Sequence, residues 1–150
     1  MERILLEDAI NNNKRYYISN KENLRNSQLY YFLIDGNIRI LKQDKRKLKI
    51  NEENKELPDE YFENSILEVE IEYTNLNYFD NDIEIFIHNN CYLVDLEGYH
   101  FDIDNIKNDN GLGYFIPKIK QRIKLIFLVP DEDTKYLLEI SNTIIKEEEN

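Results

Sequence analysis

A chain of 150 residues can close one hydrophobic core, burying roughly 70% of the surface its unfolded form exposes without help from metal or disulfide. Cys91 is the only cysteine, which excludes an intrachain disulfide, a thiolate zinc site and a CxxC redox pair. The formal net charge of −11 disfavours nonspecific binding to DNA, RNA or an anionic membrane.

The charge is polarised along the chain. Residues 52–109 hold 17 acidic side chains against Lys55 and Lys107 alone, whereas residues 1–51 hold 11 basic against 6 acidic. Two such halves either neutralise each other within one fold or leave an acidic surface for a basic partner. There is no internal repeat and no low-complexity linker, so the expectation is a single domain over 1–150.

MERILLEDAI opens with Glu2, Arg3, Glu7 and Asp8 where a signal peptide carries an unbroken apolar run. No stretch approaches the roughly 18 apolar residues of a membrane helix. Together these suggest a cytoplasmic chain, or a secreted one if a leader has been removed. Ile4, Leu5, Asp8 and Ala9 stand at helical spacing before Asn11, Asn12 and Asn13, predicting a short N-terminal helix. YYIS at 16–19 fits a first edge strand equally well, and 1–27 is read as a helix or arm.

QLYYFLIDGNIRILKQ at 28–43 predicts strands at 28–34 and 37–42 around a hairpin turn at Asp35-Gly36. KQDKRKLK at 42–49 then reads as a basic loop or strand end. The polar stretch at 51–60 crosses to the next strand, with a turn of helix near 58–62 after Pro58. SILEVEIEYTN at 65–75 alternates as a strand. DIEIFIHN at 82–89 alternates again, with Ile83, Ile85 and Ile87 on one face and Glu84, Phe86 and His88 on the other. CYLVDLEGYHFDI at 91–103 reads as a strand bent at Glu97-Gly98. DNIKNDNGLGY at 104–114 is a polar loop, RIKLIFLVP at 122–130 a buried strand, and 134–145 a last strand. The fold expected is all-β: an antiparallel sandwich of about seven or eight strands over 28–145, with a short N-terminal helix.

EVEIEYTN, YLVDLEGYHF and IPKIKQRIKLIFLVPDEDTKYLLEI in that order resemble the immunoglobulin-like (telokin-like) domain of unknown function found in lipoproteins of Gram-positive bacteria. The features that carry the resemblance are Asn75; Leu93, Val94, Asp95, Gly98 and Phe101; Pro117; and Phe127, Val129 and Pro130. It covers about 65–141. Lys118 replaces a glycine favoured in that family, no lipid-attachment cysteine stands near the N-terminus, and 1–60 has no counterpart. The resemblance implies an immunoglobulin-like fold and almost nothing about activity, since that family carries no established catalytic residues.

Glu68, Glu70 and Glu72 occupy every second position of one strand. Three equivalent carboxylates lack the contrasting environments of an acid/base pair, so they read as the wet face of a sheet or as a contact for a basic partner. Asp80 and Asp82 in one loop, and Asp102 and Asp104 in another, supply the oxygen type that Ca²⁺ prefers, without the ligand order of an EF-hand. His88 and His100 are the only histidines. Cys91 begins an apolar strand without an oxyanion turn, which favours a packed thiol over a nucleophile. Among the adjacent aromatics, Tyr78, Phe79 and Tyr114 are candidates for an exposed recognition surface.

These features lead to the expectation of a non-enzymatic, immunoglobulin-like protein-binding module without cofactor, contacting its partner through Glu68, Glu70 and Glu72 or through tyrosine-bearing loops. The alternatives are an acidic decoy, of phage or mobile-element type, that blocks a basic nucleic-acid-binding surface, and a Ca²⁺-dependent binding domain.

Overall fold

The computed structural model describes residues 3–20, 33–48, 56, 64–78, 83–108 and 115–149. They form β1 (Arg3–Leu5), α1 (Leu6–Asn11), β2 (Arg15–Ser19), β3 (Asp35–Lys47), β4 (Asn64–Asn75), α2 (Ile83–Asn90), β5 (Cys91–Asp95), β6 (His100–Asn108), β7 (Lys120–Pro130), β8 (Tyr136–Ile140) and β9 (Ile144–Glu147). All paired strands run antiparallel, in the order β1-β8-β5-β6-β7-β4-β3-β2-β9.

Strand β6 is where the sheet turns over. Its first residues, His100 to Asp102, pair with β5, whereas Ile103 onward pairs with β7. A short limb (β1, β8, β5) therefore continues into a long one (β7, β4, β3, β2, β9). Only Ser141, Asn142 and Thr143 separate β8 from β9, although these strands stand near opposite ends of the strand order. The limbs must therefore curl towards each other at this end. Asn142 makes the change of direction with φ 61°, a left-handed conformation that asparagine tolerates, while the Ser141 N–H bonds the Asn90 carbonyl at 2.7 Å. Helix α1 connects β1 to β2 in the same way and is followed by Asn13 at φ 48°.

The enclosed core follows from period-two alternation. Strand β4 buries Leu67, Val69, Ile71 and Tyr73, and β7 buries Ile123, Leu125, Phe127 and Val129. Ile4, Leu93 and Leu138 of the short limb join the same cluster. Each such side chain contributes about 1.5–3 kcal/mol on leaving water. Tyr73 and Phe115 meet edge to face at 5.4 Å.

The all-β, antiparallel sandwich expectation holds, with nine strands among the described residues rather than seven or eight. The expected N-terminal helix is α1, preceded by β1. The YYIS strand is β2, and it lies between β3 and β9 rather than at an edge. Four expectations are corrected. The first part of the polar loop expected at 104–114 belongs to β6, which runs to Asn108. Asp35-Gly36 is not a turn: both residues lie inside β3, opposite Ser19 and Ile18 of β2. Gly36 is needed because a Cβ there would stand 2.5 Å from the Thr74 carbonyl and from the Tyr73 ring. Most of the strand expected at 28–34, and the helical turn expected at 58–62, lie outside the described residues.

The alternating segment 82–89 is helical over Ile83–Asn90. Phe86 and Ile87 turn to the core while Ile85 is left 47% exposed, and the Asn90 side-chain amide bonds the Phe86 carbonyl four residues back. A short apolar run fits either period, and here the tertiary contacts select the helical one. Finally, 134–145 is two strands on different limbs, β8 and β9, divided by the turn at Asn142.

Candidate functional site: the outer face of the long limb

Directly opposed residues of an antiparallel pair point to the same side of a sheet. On the outer side of the long limb, Glu72 stands between Arg39 of β3 and Arg122 of β7, and Glu70 between Lys42 and Lys124. Glu68 lies between Asp44 and Ile126. Arg15 extends the first of these rows across β2, and Lys107 extends the second across β6. A further row runs Lys146, Tyr17, Asn37, Thr74, Lys120. Arg46 faces Ile66, and Asp35 accepts a hydrogen bond from Tyr17 Oη at 2.6 Å.

Glu70 and Glu72 are thus bracketed by cations across the sheet, Glu68 meets one only diagonally, and the three do not form a separate acidic surface. Lys42 Nζ lies 3.4 Å from Glu70 Oε2, Arg122 Nε 4.0 Å from Glu72 and Arg46 Nη1 4.0 Å from Glu68. Glu70 is itself buried, 7% exposed, so its charge is spent within the fold. The cationic ends of these pairs are exposed, and pairs open to solvent in this way contribute about 0.2–1 kcal/mol each.

Among the described residues this face is basic. Its strand positions carry nine cations (Arg15, Arg39, Lys42, Arg46, Lys107, Lys120, Arg122, Lys124, Lys146) against five carboxylates (Asp35, Asp44, Glu68, Glu70, Glu72). Adding Glu148, whose N–H bonds the Arg15 carbonyl just beyond β9, leaves a surplus of three. Arg15, Arg39, Lys107, Lys120 and Lys146 make no ion pair among the described residues.

Two β-bulges complete this surface. The register slips between Ile40 and Lys42, so Leu41 is the extra residue and Lys42, Asp44 and Arg46 turn outward. It slips again between Ile103 and Asn105, which makes Asp104 the extra residue and turns Lys107 outward. Without the bulges, strict alternation would have aimed Lys42 and Lys107 at the core side.

The other predicted residues are scattered. Phe79, Asp80, Asp82 and Tyr114 lie outside the described residues. Asp102 pairs with Tyr92 on the short limb, whereas Asp104 is the bulge residue, and no group of three or more potential metal ligands occurs among the described residues. Tyr78 is 93% exposed. His88 lines a groove of about 420 Å³ with Glu84, Ile85, Asp104 and Ile106, between α2 and β6. His100 Nε2 lies 3.1 Å from Glu139 Oε2, and Arg3 Nε donates to Glu139 Oε1 at 3.1 Å, so a buried glutamate is held from two sides. Cys91 is fully buried, and burial, followed by the charge of Glu139, pushes its thiol far above the usual range. It is unsuited to nucleophilic work.

Sequence reasoning missed the cationic face. Its signal was present as Lys120, Arg122 and Lys124, every second residue of β7, with the same period as the glutamates they flank. Lys118 serves the backbone instead, with φ at 65° and its N–H bonded to the Asn75 carbonyl at 2.8 Å.

No family model and no curated protein matches the chain. Among solved structures it is similar to an uncharacterized β-sandwich protein from Clostridium difficile 630, at 13% identity and a TM-score of 0.48, over 76% of this chain and 85% of the other.

Proposed function

We propose that the protein is a non-enzymatic protein-binding module whose contact surface is the outer face of the long limb. The observation that carries this reading is the cation surplus on that face in a chain of net charge −11. A surface opposite in sign to its own molecule orients an approaching partner as well as attracting it. Carboxylates interspersed among those cations leave a surplus of only three, so the partner that fits is a protein surface rich in carboxylates with interspersed cations rather than an evenly charged phosphate backbone. The buried thiol of Cys91 supports binding over nucleophilic catalysis. In this reading residues 65–141 supply the immunoglobulin-like part of the molecule, with β4 and β7 at the centre of the contact.

Affinity capture of protein partners by the full chain and by a double variant, Lys107→Glu with Lys146→Glu, tests this reading. Both lysines are exposed and make no ion pair among the described residues, so the fold should be unaffected. Capture by the native chain should fall steeply as salt is raised to on the order of 0.5 M, where screening acts within a few ångströms. The variant should retain at least tenfold less of the same partner at low salt. Equal retention by both chains, or capture indifferent to salt, would exclude this face.

A further inference from the structure

We infer that a small depression on this face, bounded by Arg15, Asn37, Arg39, Glu72, Thr74 and Lys120, is an oxyanion site that takes one carboxylate or phosphate group. The residues come from four adjacent strands, and the register of β2, β3, β4 and β7 places them in two neighbouring rows. The depression opens to solvent and has a volume of about 140 Å³, well below the roughly 300–1,000 Å³ of a cofactor or drug-sized site.

Two observations point to an anionic occupant. Arg15, Arg39 and Lys120 converge on the depression without an ion-pair partner among the described residues, whereas its one carboxylate, Glu72, pairs with Arg122 on the far side. The second is an unmet donor. Arg39 Nε is buried and has no acceptor among the described residues, and Asn37 Oδ1, two positions away on β3, is likewise buried without a donor. Buried polar atoms are normally paired, and an arginine N–H without an acceptor is the most demanding of them. The planar guanidinium edge, Nε with one Nη, matches two oxygens of a carboxylate or phosphate. Turning the Asn37 amide over would present its NH₂ to the same oxyanion, with the Thr74 hydroxyl as a further donor.

The depression itself does not depend on the protein-binding reading; only the origin of the oxyanion does. If that reading holds, the group is a carboxylate of the partner anchored at the centre of the contact. If it fails, the same donors bind a free phosphate-bearing ligand.

Side-chain NMR of the arginine Nε–Hε groups in the full chain tests the site, with sodium phosphate and disodium succinate titrated separately at constant ionic strength. The Arg39 signal should shift and saturate, with half-saturation in the millimolar range or below. Arg39→Gln should weaken binding, followed on the Arg15 signal, at least tenfold, and Lys120→Gln several-fold. Lys135→Gln, which lies off this face and pairs with Glu7, should leave it unchanged. Saturation by phosphate alone supports the site and assigns it to phosphate; saturation by succinate supports it and assigns it to carboxylates. Linear, unsaturated shifts with both ions overturn the site, as does equal binding by native chain, Arg39→Gln and Lys120→Gln. Loss of partner capture in the Lys107/Lys146 variant bears on the face alone, because neither lysine lines the depression.

Discussion

Tyr136 buries its phenol oxygen with no hydrogen-bond partner among the described residues, and burial, reinforced by the charges of Glu132 and Asp95, pushes its ionisation up to about 12. The ring packs edge to face on Phe101 at 6.1 Å, so the apolar part accounts for its place in the core. Tyr136→Phe keeps that ring and removes the unpaired hydroxyl. Urea denaturation should show stability unchanged or raised by about 1 kcal/mol, and a loss larger than about 1 kcal/mol would reveal a partner for the hydroxyl. That Tyr136 would lie in a strand was legible from the sequence; that it would face inward with its hydroxyl unpaired was not, since this depends on which neighbours reach it.

Secondary-structure elements show where local reading is overruled. Asp35-Gly36 carries the chemistry of a tight turn, yet the glycine serves close approach to Tyr73 and Thr74 within a strand. A turn would tolerate Asn at that position, because asparagine accepts a positive φ. In the strand both Gly36→Ala and Gly36→Asn should cost about 1–3 kcal/mol through overpacking, measured by chemical denaturation. If Asn alone proves harmless, the turn reading returns. Helix α2 separates two isoleucines in the same manner: Ile87 is 1% exposed and Ile85 47%. Ile87→Ala should therefore cost about 2–5 kcal/mol and Ile85→Ala less than about 0.5. Equal losses would indicate the strand, in which both point the same way. The bulges at Leu41 and Asp104 belong with these elements too. Neither residue type signals a bulge, because the slip is set by how two strands meet across the sheet.

Across the full chain, the N-terminal residues are part of the sheet. Strand β1 pairs with β8 at one edge, and β2 joins β3 to β9 at the other. A fragment spanning 28–145, which the sequence suggested as the sandwich, would remove β1, α1, β2 and half of β9 and expose an edge of β3. It should lose cooperative unfolding and amide dispersion in NMR, whereas the full chain keeps both; a fragment with native-like dispersion would show that β1 and β2 are dispensable. The all-β class, the two-residue rhythm of β4 and β7 and the absence of a cysteine pair were legible in the residues themselves, because they follow from composition and from side chains alternating along one strand. The limb to which β8 and β9 belong, the helical state of Ile83–Asn90 and the gathering of cations around Glu70 and Glu72 emerged only when the strands were assembled. The helix depends on tertiary contacts, and the other two on register between segments far apart in the chain, which is a property of the pair, written in neither strand alone.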